Sequence, residues 1–333
     1  MKDTKVESIA NKLGVSVSTV SKAIRHCSGV DSETRQRILA ESRQIHVLPH
    51  SDCPIYTILP DVPQYFWREL RKGIQDGANA DIAPVKANIY TKPRDEETVL
   101  EYLDEAEKLN ARVIILATHI TPAIHEKLET LTQGRLVILL SEYHELTNSF
   151  YVGGNAYEDG YTMGQQYVAH YADRKLVCVA TSNNNNATRR IEGFHQAIKE
   201  SKPQLLEHAL SITLDQKMFQ DLKLLPSKLA PLLAGAAKDE EHICIYSPTG
   251  IPQLPLALIK AKLTEQAVCL CHDCIVEHPY EDKNMDMGFA ITCNQDVCGQ
   301  GYAAVKIATE FVKENLYPEQ KKTYIPSILN IKT

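Results

Sequence analysis

Residues 14 to 24 read GVSVSTVSKAI, and this run carries side chains suited to one kind of chemistry. On a helix, Val20, Ala23 and Ile24 share an inner face, while Val17, Ser18, Ser21, Lys22 and, just beyond the run, Arg25 point elsewhere. Hydroxyls, cations and a small apolar group on one open face can meet phosphate oxygens, base edges and a thymine methyl. A second cluster, Cys269, Cys271 and Cys274 with His272 in CLCHDC, offers soft ligands. It lacks the paired C-x-x-C units of a zinc ribbon, so no metal is assigned to it. The chain has no P-loop, no G-x-G-x-x-G and no G-x-S-x-G nucleophile elbow. Nothing nominates a nucleophile and its base, and the reading is of a protein that is not an enzyme and needs no cofactor.

The elements that would hold the first cluster are short helices. Thr4 with Glu7 forms a capping box, and Val6, Ile9, Ala10 and Leu13 follow at helical spacing up to Gly14. Ser16 is placed to cap a second helix after the turn GVS, and a third should begin after Asp31, with Glu33 in its first turn and Ile38 and Leu39 inside. Two short helices joined by a Gly-containing turn and closed by a third make a helix-turn-helix, whose second helix would enter the major groove. A small helical bundle that binds a protein fits the same pattern.

Charge separates these alternatives. The net charge of −6 argues against nucleic acid, but residues 1–50 carry eight Lys and Arg against five Asp and Glu, and the remainder 28 against 37. A basic head of net +3 on an acidic body of net −9 can hold a phosphate backbone locally. At 333 residues with 44% hydrophobic side chains, the chain can bury more than one core. No apolar run approaches the roughly 18 residues of a membrane helix, and MKDTKVESIA is too polar for a signal peptide, so the expected location is the cytoplasm, with no membrane partner. Nine cysteines, several in apolar runs such as LVCVA and HICIY, read as reduced, buried thiols.

The run from Val6 to Leu39, with its VSVSTVS core and its GV-x-x-ETR-x-RI segment, resembles the headpiece of the LacI/GalR family of bacterial transcriptional regulators. The resemblance implies that Val17 and Ser18 face base edges and that Ser16, Thr19, Arg25 and His26 hold phosphates. Lys22 stands where the family usually has Arg. A guanidinium grips guanine with two donors, whereas an ammonium is a point charge on a flexible stem, so Lys22 serves base reading or a plain phosphate contact.

Beyond residue 55, apolar runs alternate with helical patterns. IYTIL, VKANIY, RVIILAT, RLVILLS, KLVCVA, HICIYS, AVCLCH and FAITC read as strands, with helices such as Asp95 to Asn110 and Asn155 to Ala172 between them. Strands apolar on both faces, alternating with helices, predict an α/β body of doubly wound parallel sheets in two lobes. Ligands in such sheets bind at the carboxyl ends of the strands.

ILPDVPQYFWRELRKGI, VGGNAYEDGYTMGQQYV, TRRIEGFHQAI and LCHDC followed by NQDVCGQGYAAVKI resemble successive segments of the periplasmic-binding-protein-like effector domain of the same family. The resemblance implies a headpiece at 1–48, a short linker at 49–54 and an effector domain at 55–333. Lobe one takes about 55–154 and 285–318, and lobe two about 155–284 and 319–333. It further implies that Arg190 and Asp273 contact the effector and that Phe66 and Trp67 wall the pocket. Core packing is the other reading of Trp67, since Leu70 and Ile74 share its helix. Asn155 replaces a usual Asp, with Asp159 four residues on facing the same way, and Thr249 and Gly250 replace an Asn-Asp pair. The site is thereby less acidic, which favours a sugar or sugar derivative, with a nucleobase as the second class.

The family joins headpiece to body through a hinge helix whose paired Leu side chains wedge into the minor groove. Here HVLPHSDCPIYTIL leaves five residues, His50 to Pro54, between Pro49 and the first strand, with no Leu among them. Two flanking prolines and five residues cannot make that helix. The expectation is a homodimeric regulator of double-stranded operator DNA, controlled by a small polar effector, without the hinge wedge. The alternative is a sensing protein that binds DNA weakly or without sequence preference.

Overall fold

The computed structural model describes the chain except residues 1–4, 25–28, 46–53, 61–64, 82, 84, 91–94, 133–134, 148, 182–183, 216–217, 219–220, 222, 275–288, 315–316 and 333. Two compact units divide it, Met1–Gly153 with Val297–Tyr324 and Gly154–Asp296 with Ile325–Thr333.

The first unit begins with the headpiece helices α1 (Lys5–Leu13), α2 (Val17–Ile24) and α3 (Ser32–Ile45). Gly14 ends α1 in the left-handed region at φ 67°, which lets Val15 N–H reach back to the Ala10 carbonyl at 3.0 Å. Ser16 then caps α2, its Oγ accepting from Thr19 N–H at 3.0 Å. Asp31 caps α3 through Thr34 N–H at 2.8 Å. Ile9, Ala10, Val20, Ala23 and Ile38 close a core of their own, and Lys12 on α1 pairs with Glu41 on α3 at 2.5 Å. Thr4, Arg25, His26 and the linker at 49–53 lie outside the described residues, as do the side chains of Ile24 and Leu39.

The rest of the first unit is a sheet with helices. β1 (Ile55–Pro60), α4 (Tyr65–Asp81), β2 (Val85–Tyr90), α5 (Glu96–Lys108), β3 (Val113–Leu116), α6 (Pro122–Leu131), β4 (Leu136–Leu140) and β5 (Ser149–Gly153) are joined late in the chain by α11 (Val297–Glu314) and β11 (Lys322–Tyr324). The strand order is β11-β5-β4-β3-β1-β2, and every pairing is parallel. Buried Arg112 donates to the Val312 carbonyl at 2.7 Å, placing a cation at the carboxyl end of α11, where the helix dipole favours it.

The second unit holds α7 (Ala156–His170), β6 (Lys175–Thr181), α8 (Asn185–Ser201), β7 (Leu210–Leu214), α9 (Leu225–Ala236), β8 (Ile243–Ser247), α10 (Leu254–Ala261), β9 (Ala267–His272), β10 (Phe289–Gln295) and β12 (Ser327–Ile331). Its order is β12-β10-β9-β8-β6-β7, with only β12 antiparallel to its neighbour. Within β6, Val177 and Val179 pack with Leu229 and Leu254, while Leu176 and Cys178 pack with Tyr167 and Phe194. Helices cover both faces, which is why the strand lacks polar alternation. Burying each such side chain stabilises the unit by about 1.5–3 kcal/mol.

The lobe boundaries read from the sequence need correction. The family resemblance puts residues 285–318 in lobe one, but β10 pairs with β9 from Phe289 to Cys293, so it belongs to the second sheet. The chain leaves that unit only after Asp296. The resemblance puts residues 319–333 in lobe two, yet β11 pairs with β5 in the first sheet and only β12 lies in the second. An apolar run such as FAITC announces a buried strand without naming its partner, since pairing is decided by hydrogen bonds to strands distant in sequence. Among the described residues no helix is long and apolar enough to cross a membrane.

Candidate functional site

On the headpiece, α2 turns Val20 and Ala23 inward and leaves Val17, 47% exposed, with Ser16, Ser18 and Lys22 on the open side. The Ser16 hydroxyl lies 2.8 Å from that of Ser18 and 2.7 Å from that of Thr19. These hydroxyls gather at the amino end of α2, where free N–H groups and the helix dipole favour an anion such as phosphate. Of Val17, Ser18 and Lys22 on this open side, only Lys22 carries a charge.

In the second unit, polar groups collect at the carboxyl ends of β6, β8, β9 and β10. Arg190 stands on α8, whose first turn is capped by Asn184 accepting from Ala187 N–H at 2.9 Å. α8 runs against α7 at glycines: a Cβ on Gly160 would lie 2.0 Å from the Arg190 carbonyl, and one on Gly193 2.0 Å from that of Tyr157. Arg190 is only 3% exposed, and it donates through Nη1 to the Pro248 carbonyl at 2.8 Å and through Nη2 to Asp273 Oδ2 at 2.9 Å. Its Nε and the Thr249 hydroxyl are buried without a hydrogen-bond partner among the described residues.

Asp273 follows β9 in the left-handed region at φ 52°, a conformation that Asp tolerates better than most residues. Its backbone presses on the next connection, since a Cβ on Gly250 would lie 2.7 Å from the Asp273 carbonyl. Gln295 at the end of β10 donates twice to the Asp273 carboxylate, from its backbone N–H at 3.0 Å and from Nε2 at 2.9 Å. Asp159 on α7 is buried and accepts from the Ser327 hydroxyl at 2.9 Å. Asn155 spends its side chain capping α7, accepting from Glu158 N–H at 3.3 Å.

The charges shape one another. Burial raises the Asp159 carboxyl above its ordinary value, against the opposing pull of Arg190 and the Ser327 hydroxyl. Burial alone would lower Arg190, but Asp273 and Asp159 outweigh it and hold the guanidinium above its ordinary range. His272 is fully buried with Nε2 3.0 Å from the Tyr246 hydroxyl, and burial, reinforced by Arg190, keeps it neutral well below the usual histidine range.

The structure therefore brings together Arg190, Asp273, Asp159 and Thr249, and adds three hydrogen-bonding partners to the first three of them: the Pro248 carbonyl, Gln295 and Ser327. Gln295 lies in the segment NQDVCGQGYAAVKI but drew no role from it, Ser327 lies in no motif, and the pairing of the two at the ends of β10 and β12 is what marks them. Phe66 and Trp67 stand at the start of α4, edge to face at 4.9 Å, and both are part-buried, whereas Leu70 and Ile74 are the core residues of that helix. Cys269, Cys271 and Cys274 are free, buried thiols packed in the apolar core. Among the described residues no group of three or more His, Cys, Asp or Glu could hold a metal ion.

The described elements make a helix-turn-helix headpiece ahead of two doubly wound α/β units. Residues 5–46 match the family model for bacterial regulatory proteins of the lacI family. The chain is 22% identical over 212 residues to the HTH-type transcriptional regulator DegA of Bacillus subtilis (strain 168), covering 60% of this chain and 61% of that protein. Among solved structures it resembles an ABC-transporter solute-binding protein of Burkholderia graminis C4D1M in complex with D-arabinose, at 16% identity and a TM-score of 0.69 over 86% of this chain and 97% of that one. It also resembles GanP, a glucose-galactose binding protein of Geobacillus stearothermophilus, at 15% identity and a TM-score of 0.65 over 84% of this chain and 98% of that one. At these identities the structural likeness establishes the fold.

Proposed function

We propose that this chain is a cytoplasmic DNA-binding transcriptional regulator, a repressor in the simplest case, whose operator affinity is set by a small polar effector. The observation that carries the reading is the lacI-family headpiece with Val17, Ser18 and Lys22 on the open side of α2. Two such headpieces on a homodimer would meet the two halves of a pseudo-palindrome. Arg190, Asp273, Asp159, Asn155 and Thr249 form the proposed effector contacts. A sugar or sugar derivative suits this mixture of one cation, two acids and neutral polar groups, and the D-arabinose and glucose-galactose proteins of the same fold support that class. A nucleobase is the second class, and catalysis has no part in the proposal.

Selection from a random duplex library at fixed salt tests the DNA arm. Recovery of a pseudo-palindromic sequence, bound more tightly than random duplex, supports it, and binding that falls with salt without sequence preference favours the sensing protein instead. A thermal-shift panel of D-arabinose, D-glucose, D-galactose and nucleobases tests the other arm. Saturation at 100 times Kd adds about 2.7 kcal/mol of stability, and Arg190→Ala should remove it. A shift that survives Arg190→Ala sinks the site.

A further inference from the structure

The chain passes between its two compact units at three places, after Gly153, after Asp296 and after Tyr324. Within three residues of each lies a group tied to the Arg190 cluster. Gln295, one residue before the second crossing, places two donors on the Asp273 carboxylate, and its Nε2 shares Oδ2 with Arg190. Ser327, just after the third crossing, sits opposite Gln295 in the β10–β12 ladder and donates to Asp159. Gly154, at the first crossing, fits beneath both, since a Cβ there would stand 3.0 Å from Gln295 Oε1 and 3.4 Å from Asp159 Oδ2.

From this geometry we infer that Gln295 and Ser327 are positioning residues, coupling the state of the Arg190–Asp273 pair to the segments that cross between the units. The inference rests on the reading of that pair as the effector contact. Asp273 already accepts three hydrogen bonds, two from Gln295 and one from Arg190, so a ligand that draws Arg190 toward itself changes the load on the carboxylate Gln295 holds. Charge-assisted hydrogen bonds of this kind are stronger than neutral ones, and the change passes into the Gln295 backbone because one of its two donors is the main-chain N–H. Ser327 gives the same link to Asp159 through its hydroxyl. A purely structural network would also be buried and well bonded, but losing one member would loosen the unit as a whole and not the crossing segments in particular.

Hydrogen exchange on the full chain separates the two. Wild type, Arg190→Met, Gln295→Met and the double variant are compared at the crossing segments 152–157, 293–299 and 324–329, with 243–247 in β8 as the internal control. Arg190→Met should speed exchange at the crossings by about tenfold, the size expected from losing one charge-assisted hydrogen bond, and add little in the Gln295→Met background. Unchanged crossings, or additive effects of the two substitutions, overturn the inference. If exchange in 243–247 rises as well, the unit has loosened as a whole, and Asp273→Asn replaces Arg190→Met with the same criterion. The comparison uses no ligand, so an empty sugar panel counts against the effector reading alone, and additive exchange counts against the coupling alone.

Discussion

At the scale of single residues, two side chains make opposite demands on solvent. His272 is buried, hydrogen-bonded through Nε2 to Tyr246, and kept neutral by burial and by Arg190. Its folded pKa is depressed, so the unfolded chain takes up a proton near pH 6.5 that the folded chain refuses. The stability this residue contributes is complete above that pH and is lost as pH falls, by about 1.4 kcal/mol per pH unit until the folded pKa is reached. Denaturant titrations at pH 7 and pH 5.5 should show His272→Gln losing less stability than wild type across that interval, and equal losses would place the residue in a wetter setting. Lys22 lies open on α2. If its ammonium sits against a phosphate, Lys22→Ala lowers affinity evenly across operators and flattens the slope of log K against log salt by about 0.9. A loss confined to one operator base pair, with the slope unchanged, would assign Lys22 to base reading instead.

At the scale of elements, the close crossing of α7 and α8 sets where Arg190 stands. A Cβ at position 160 or 193 meets a backbone carbonyl at 2.0 Å, and backbone cannot rotate aside as a side chain can. Gly160→Ala and Gly193→Ala should each cost about 1–3 kcal/mol, the range for overpacking, and lower Tm by several degrees. A scanning calorimetry trace that matches wild type would mean the helices part freely. Much of this level was legible in the sequence. Gly14, Ser16 and Asp31 mark helix ends by residue type, and the helices read as starting at Asp95 and Asn155 do start there, with those residues as the caps of α5 and α7. Eight strands showed as apolar runs, but β5, β7, β11 and β12 did not. β7 is an exposed edge strand and β11 has three residues, so neither buries enough to leave an apolar signature. In the site, Arg190 and Asp273 were legible through family resemblance, while Gln295 and Ser327 meet partners 22 and 168 positions away, a relation that only folding creates.

At the scale of the whole molecule, the join between headpiece and body decides how DNA can be held. Only His50 to Pro54 lie between Pro49 and the first strand, and the sequence there contains no Leu. A wedge in the minor groove costs a few kcal/mol of base unstacking, which a protein recovers only when apolar side chains fill the opened step and the bend brings more surface into contact. If five residues between prolines form no helix, as their number and composition predict, the central step of the operator has nothing to fill it, and the cost would stand uncompensated. On the proposed dimeric reading the operator should therefore stay close to straight, with affinity coming from two half-sites through the proposed phosphate contacts of Ser16 and Thr19 and the proposed base contacts of Val17, Ser18 and Lys22. End-to-end energy transfer on a labelled operator duplex should change little on binding, and replacing a central pyrimidine–purine step by a stiffer one should leave Kd within about twofold, since a step that is never kinked adds no deformation energy. A sharp rise in transfer, with affinity that depends on the central step, would show that this chain bends DNA by some other contact. In the straight case, effector control has to act on the separation and orientation of the two headpieces, so inserting one base pair between half-sites should weaken the complex in the state that binds DNA best.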